Sequence, residues 1–335
     1  MRRYLLLLIL LAAPAIYGQD KPIHIGEIEF FGYSGVNPDT VRVALPVHEG
    51  DEISRAVWQE KVGEVQLALR EVTGHAPTDV ASICCNRQGN LSIFIGIAAR
   101  PLNYLPKPTG TSQLPSSIVK LYEQSLQVLD EATRKGAITE DRSQGYSLSS
   151  YTPLRAVQLK MRAYALSHER LLREVLAHSA NDRQRTVAAQ LLGYARESRT
   201  QVIALANASL DSNGDVRNNA TRALAVFAEF NPDMAKHIPP QSFIEMLLSG
   251  KWTDLNKASA LLSALTRSRD PKLLARLRVQ EVLARLIEMA RWRTGHADPA
   301  RTILGRLAGI EETRLQQLVA SGQTEEIINA LHDAK

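Results

Sequence analysis

Apolar residues recur every three or four positions over most of the chain after residue 118, a spacing typical of helices that bury one face. In the first such segment the apolar face consists of Val119, Tyr122, Leu126 and Leu129. Short polar connections separate the segments, as expected for antiparallel neighbouring helices. The predicted helices are 118–135, 153–167, 168–179, 183–197, 199–210, 215–230, 239–249, 254–267, 270–292, 298–308, 311–320 and 323–333.

The pattern before residue 100 is different. Residues 23–30 approximate the alternation of a strand, residues 37–39 open a short helix, and residues 54–72 predict a longer helix. The segments 80–85 and 91–98 predict two further strands, joined by a polar connection of hairpin length. The predicted order is strand, short helix, long helix, strand, strand.

Four prolines, Pro101, Pro106, Pro108 and Pro115, separate these two patterns. Such a segment cannot continue a helix or a central strand, and it behaves as a semi-extended spacer that can lie against either neighbour. The chain therefore divides into an α/β domain over 20–100, a proline-rich linker over 101–117 and a helical domain over 118–335.

A repeat organises the helical domain. Residues 185–195 are echoed 32 positions later by residues 217–227, and residues 258–265 form a fainter copy 38 positions further on. Each copy follows a helical stretch and a short polar turn, so each is predicted to be the second helix of a hairpin. One hairpin cannot bury its apolar stripe alone, and stacked hairpins bury a continuous core.

The residues at these positions resemble HEAT and HEAT-like repeats. Arg185 and Arg217 are each followed by alanines and then by a leucine-containing triplet, at 191–193 and 223–225. The resemblance covers roughly residues 167–308. It implies a curved, non-catalytic binding scaffold in which the two arginines brace the hairpins.

The α/β domain resembles a POTRA domain at residues 28–32, an opening strand with its glycine, and at residues 45–51, a leucine-proline to glycine-aspartate turn. That family receives extended polypeptide by edge-strand addition, which implies an assembly or transport role. A small α/β domain that packs on the solenoid is the alternative. The predicted fold class is α+β, multi-domain and mainly α: a small POTRA-like module followed by a HEAT-like α-solenoid.

The first residues predict export. Met1-Arg2-Arg3 gives a positive start, and Leu5 to Ala13 is an apolar run too short to span a bilayer comfortably. Small residues place cleavage after Ala15 or after Gly18, so residues 1–18 are predicted to be a signal peptide, with an uncleaved anchor as the alternative. The expected location is periplasmic or extracellular.

Cys84 and Cys85 are the only cysteines and are adjacent. Export makes them a candidate redox pair, although neighbours on a strand point to opposite faces and a bond between them requires a strained turn. One buried and one exposed thiol is the alternative interpretation.

A basic region lies between residues 267 and 306, with ten Lys or Arg against four Asp or Glu. Arg278, Arg285, Arg291 and Arg293 are candidates for one stripe that binds a partner. A solvated helix face with its leucines turned inward is the alternative.

The chain shows no motif for catalysis, cofactor or metal. Its eight histidines are scattered, and no His-Glu-x-x-His or phosphate-binding glycine loop occurs. We therefore expect no enzyme activity, no cofactor and no metal. The partner is predicted to be a protein, with an anionic polysaccharide or lipid headgroups as alternatives. Nucleic acid is not expected, because stacking aromatics are missing beside the charges.

The leading interpretation is an exported interaction scaffold without a membrane span in the mature chain. Two alternatives belong to other classes. One is an envelope assembly or transport factor that uses the edge strand of the α/β module. The other is a lyase or hydrolase, because short HEAT-like repeats also occur in relatives of phycobilisome lyases.

Overall fold

The N-terminal module is a four-stranded sheet with two helices. The computed structural model describes residues 23–33, 35–83, 86 and 88–333. The strands have the order β2-β1-β4-β3, with β1 parallel to β4 and antiparallel to β2, and β3 antiparallel to β4. The elements are β1 (Ile23–Phe31), α1 (Pro38–Ala44), β2 (Glu52–Ile53), α2 (Arg55–Thr73), β3 (Asp79–Ile83) and β4 (Leu91–Gly96).

The two sides of β4 face different cores. Ile93 and Ile95 belong to the core of the module, together with Val65 and Leu69 of α2. Phe94, on the opposite face of the strand, belongs to the core of the helical part. Since successive side chains of a strand point to opposite faces, one strand joins the two cores. The predicted order of strands and helices is confirmed, and only the two-residue β2 escaped prediction.

A segment without helices or long strands follows, here called the strap (residues 99–115). The N–H of Arg100 donates to the carbonyl of Leu248 at 3.0 Å, and the N–H of Leu105 donates to the carbonyl of Leu210 at 2.8 Å. Gly110 forms a bridge with Ser179. The strap therefore crosses successive turns of the helical part in reverse chain order, bound by its own backbone.

The helical part begins at residue 116 and ends at residue 333. A short hairpin, β5 (Glu140–Asp141) and β6 (Leu148–Ser149), interrupts it after the first helix. The helices are α3 (Ser116–Arg134), α4 (Thr152–His178), α5 (Asp182–Leu192), α6 (Arg199–Ala208), α7 (Gly214–Phe230), α8 (Pro232–Ala235), α9 (Pro240–Met246), α10 (Trp252–Leu265), α11 (Pro271–Leu277), α12 (Gln280–Ala290), α13 (Asp298–Leu307), α14 (Glu312–Ala320) and α15 (Thr324–Asp333).

Most predicted helix boundaries lie within a few residues of these bounds. The predicted break between residues 167 and 168 is a kink at His168, where φ is −129° and α4 continues. The predicted helix over 270–292 was wrong in one respect, because α11 ends before Arg278 and α12 begins after Val279. The hairpin was not predicted, since two-residue strands are too short to show an alternating pattern.

The second helices α5, α7, α10 and α13 lie side by side in one row, each in contact with the next. Every residue of α5, α10 and α13 is buried or half-buried, and α7 is exposed only at Asp215 and Phe230 near its ends. A row this rich in alanine permits close approach of neighbouring helices. The predicted fold class, α+β and mainly α with stacked helix pairs, is confirmed.

A ladder of ion pairs links the row. Arg185, which is 0% exposed, donates to both carboxylate oxygens of Asp211 at 2.7 and 2.9 Å. Arg217 repeats the contact one helix pair later and donates to both oxygens of Asp254 at 3.0 and 3.1 Å. A pair with two parallel hydrogen bonds fixes the relative orientation of its two residues and is also stronger than a single neutral hydrogen bond. The expected bracing role of the two arginines is confirmed.

An aromatic interface joins the N-terminal module to the row. Phe94 packs between Trp252 and Trp292, with ring centroids 5.0 Å from each. The indole N–H of Trp292 donates to the carbonyl of Phe30 at 2.9 Å. Gly250 permits the contact, because a Cβ there would lie 2.7 Å from the Cβ of Thr78. The module thus packs on the helical part through buried side chains.

Candidate functional site

The four arginines predicted as a basic stripe lie in different surroundings. Arg285 is 8% exposed, pairs with Glu288 at 2.9 Å, and donates to the backbone carbonyls of Leu247 and Ser249. Burial lowers the pKa of its guanidinium, and the charge of Glu288 opposes that shift. This arginine is part of the interior.

The other three arginines also have acceptors within the protein. Arg293 pairs with Glu29 at 2.9 Å and with Glu49 at 2.6 Å, both in the N-terminal module. Arg291 pairs with Glu325 at 2.9 Å, and Arg278 donates to the carbonyl of residue 307. The structure therefore corrects the expected geometry: the four side chains do not form one open stripe. The acidic partners of Arg291 and Arg293 lie outside residues 267–306, so a local count of charge could not find them.

A different polar surface runs along α7 and α10. Half-buried residues recur on α7 at 218, 222, 225 and 229, and on α10 at 253, 257, 260 and 264. This spacing places each set along one face of its helix. We call these two neighbouring stripes the groove. The groove lies on the part of the second-helix row that the first helices do not cover.

The β5–β6 hairpin stands beside the groove on α7. Arg222 pairs with Glu140 of the hairpin and donates to the hydroxyl of Ser147 at 3.1 Å. Arg142 of the hairpin pairs with Glu229 at 3.4 Å. Burial raises the pKa of Glu140, but the charges of Arg222 and Arg142 lower it more, so the net shift is downward. The hairpin is thus held over α7 by charged pairs.

A 3₁₀ turn (Gly295–Ala297) stands beside α10. The Nδ1 of His296 lies 3.2 Å from the side-chain oxygen of Asn256, and its ring meets Trp252 edge to face at 5.1 Å. Burial and then the charge of Lys257 lower the pKa of His296 to about 4. The imidazole is therefore neutral at neutral pH.

Lys257 is the unusual residue of the groove. Of the lysines that the structure describes, it alone is not exposed and has no carboxylate within ion-pair distance. Its side chain is half-buried. Burial, followed by the charge of Arg222, lowers the pKa of Lys257 to about 8.

Two other concave regions are of different character. A crevice of about 10 Å³ between α5, α7 and the hairpin has room for about one water. A wider hollow of about 610 Å³ lies between the strap and the end of α4, bordered by Pro106, Lys107 and His178. Lys107 there is already paired with Asp182 at 3.0 Å. In the groove, by contrast, Lys257 has no carboxylate of the described chain within ion-pair distance.

Two predicted sites cannot be located. Cys84 and Cys85 lie outside the described residues, as does the predicted signal peptide over 1–18. Among the residues with described positions, no three His, Cys, Asp or Glu side chains gather as metal ligands would. The helices of that same part are all too short or too polar to span a bilayer.

The comparisons with known proteins agree with the helical architecture. The chain is similar to the crystal structure of an archaeal HEAT-like repeats protein from Thermococcus onnurineus NA1, with 14% identity and a TM-score of 0.31 over 52% of this chain and 92% of that one. The predicted HEAT-like resemblance is thereby found again. No family model matches the chain, and no curated protein matches it. A likeness at this level carries no argument about function, so the functional argument rests on the groove.

Proposed function

We propose that this protein is an exported, non-enzymatic scaffold that binds a protein partner in the groove. One observation carries the proposal: Lys257 is a desolvated ammonium with no described carboxylate within ion-pair distance, on an otherwise closely packed helix row. Charged groups inside proteins are normally paired, because desolvation of an unpaired charge is expensive. A perturbed, unpaired group in a concave surface is a candidate binding residue.

The rigid surroundings support this proposal. The strap, the aromatic interface and the arginine ladder tie the module and the helix pairs into one framework. A preformed surface binds with a smaller loss of conformational entropy than a flexible one.

Site-specific photo-crosslinking tests the location of binding. A photoreactive amino acid replaces Ala260 in the groove of the full-length protein, produced in its native host. The matched control replaces Ile203, which is exposed on the first helix α6. We expect a protein adduct from position 260 and none of that identity from position 203. Equal adducts from both positions, or none from position 260, would refute the groove as the binding surface.

Export is tested separately. Fractionation of cells that carry the tagged chain should place the mature protein in the exported fraction, shortened at its N-terminus. Full-length protein in the cytosol would remove this part of the proposal.

The edge of the N-terminal sheet supports a second candidate function. β3 ends the sheet, and its first residues contact α10: Asp79 accepts from the N–H of Trp252 at 2.8 Å, and Lys251 donates to the carbonyl of Thr78 at 2.9 Å. The carbonyl of Gly96 accepts from the N–H of Thr78, so Gly96 faces β3. In the register that pairs Asp79 with Gly96, the backbone of residues 79, 81 and 83 faces β4, and alternation directs the N–H of Ser82 away from β4. That outward edge could receive an extended peptide.

A proline distinguishes the two candidates. Ser82→Pro removes an outward donor and no bond to β4, so it should abolish strand addition while the sheet remains. If the scaffold function resides in the groove, partner recovery by the Ser82→Pro variant equals that of the wild type. Loss of the partner in this variant, with retained circular dichroism, would favour the edge strand.

A further inference from the structure

The charges around the groove do not balance. The hairpin and α7 contribute two cations and two carboxylates that pair with each other: Arg222 with Glu140, Arg142 with Glu140, and Arg142 with Glu229. Lys257 adds a third cation without a third carboxylate. The described groups of the groove therefore carry one excess positive charge, located at a half-buried ammonium.

We propose that the groove receives a single carboxylate of an acidic segment of the protein partner, bound at the ammonium of Lys257. This inference rests on the proposed function and specifies the chemistry of the partner. One carboxylate compensates the excess charge. A phosphate carries a charge of about −1.5 to −2 near neutral pH and would place surplus negative charge beside Glu140 and Glu229.

A second donor without an acceptor lies in the same neighbourhood. The indole nitrogen of Trp252 is buried and has no hydrogen-bond partner in the described structure. Trp252 contacts His296, and His296 is close enough to Lys257 for the ammonium to lower its pKa. A neutral His296 does not compete with Lys257 for an anion. Trp252 and Lys257 are five positions apart on α10 and lie on different faces of the helix, so the ammonium of Lys257 is the unsatisfied donor that the groove itself offers.

Binding of a carboxylate should change the protonation of the groove. An opposite charge within a few ångströms favours the charged form of a group, so the pKa of Lys257 should rise from about 8 in the complex. The charged groups that act on Lys257 are Arg222 and Arg142, which lower its pKa, and Glu140, which raises it. Binding at pH 8 to 8.5 should therefore take up protons, and affinity should fall as pH rises above 8.

The probe is a hexaglutamate peptide with acetylated and amidated ends, and the matched control is hexaglutamine with the same ends. Calorimetric titration of the full chain should show binding of the glutamate peptide alone, with proton uptake at pH 8.5 detected from two buffers of different ionisation enthalpy. In the Lys257→Met variant the affinity should fall at least about tenfold. Circular dichroism should show the same helix content for Lys257→Met and for a second variant, Lys257→Gln.

Three results would overturn the carboxylate site: no binding of hexaglutamate, equal binding by wild type and Lys257→Met, or binding of inorganic phosphate as tight as that of the peptide. The crosslinking experiment separates this inference from the proposed function. If the adduct at Ala260 persists unchanged in a Lys257→Met background, the partner still binds in the groove and the carboxylate contact is refuted. If no adduct forms in either background, the groove itself is refuted.

Discussion

Replacement of Lys257 by methionine should make the protein more stable at neutral pH. The pKa of this lysine falls from 10.5 in the unfolded chain to about 8 in the folded protein. Since one pKa unit corresponds to about 1.4 kcal/mol, the charged ammonium costs at most about 3.5 kcal/mol in the folded state. Part of the side chain remains open to solvent, so we expect a gain of about 1 to 3 kcal/mol in the free energy of unfolding.

The difference in unfolding free energy between Lys257→Met and the wild type should depend on pH. Below pH 8 Lys257 is charged in both states, and the full penalty is present. Between pH 8 and 10.5 the folded protein releases the proton while the unfolded chain keeps it, so the stability of the wild type rises relative to the variant. The advantage of Lys257→Met should therefore be largest at pH 7 and should approach its apolar packing contribution near pH 10.5.

Urea denaturation at several pH values between 7 and 10.5, followed by circular dichroism, measures this difference. Lys160→Met is a matched control, because Lys160 is exposed on α4 and has no ion pair among the described contacts. Its effect should stay within about 0.5 kcal/mol at every pH. The reasoning fails if Lys257→Met destabilises the protein at pH 7, or if its gain is the same at pH 7 and pH 10.5.

Three further predictions concern the framework around the groove. Arg217→Ala leaves Asp254 buried without its partner and should lower the free energy of unfolding by about 3 to 5 kcal/mol in urea denaturation, whereas loss below 1 kcal/mol would contradict the ladder. Trp292→Phe removes the hydrogen bond to the module and should cost about 1 to 3 kcal/mol, with earlier cleavage of the strap in limited proteolysis. His296 stays neutral down to about pH 4, so stability should decline by about 3 kcal/mol as pH falls from 6.5 to 4. His296→Phe should remove that decline, and an unchanged acid profile of unfolding would exclude His296 as its origin.

The sequence predicts the helical part well because its information is local. Apolar spacing located the helices, and the predicted boundary at residues 167 and 168 coincides with the kink at His168. The echo of residues 185–195 at 217–227 identified the second helices, and the arginine that opens each copy has the bracing role expected of it. A repeat allows each helix pair to be interpreted from its neighbour.

Contacts between distant segments could not be predicted in this way. Glu29 and Arg293 are separated by 264 residues, so the region that looked like a surplus of positive charge has its acidic partner in another module. The aromatic interface is equally non-local, since Phe94 and Trp292 belong to different elements without a shared pattern. Only the folded chain shows which of the basic side chains are already paired.

The groove had a faint signal in the sequence. Lys257 lies in a helix whose following residues are almost all alanine, serine or leucine, and no acidic residue occurs at the positions three or four after it. Asp254, three residues before Lys257, has the spacing of a helical ion pair, and only the fold shows that it pairs with Arg217. The signal was not specific, because an exposed lysine looks the same until burial is known.

The two charged residues near the start of α10 show why the unpaired lysine is informative. Asp254 is almost fully buried, and the fold supplies it with Arg217 from the preceding helix pair and with the hydroxyl of Ser249. Lys257 lies three residues further along the same helix and has neither. The same packing therefore gives Asp254 its partners and leaves Lys257 without one. The missing partner is thus specific to the groove and is not a general property of the helix row. A partner that supplies the missing carboxylate would complete in the groove the pairing that the ladder already provides inside the protein.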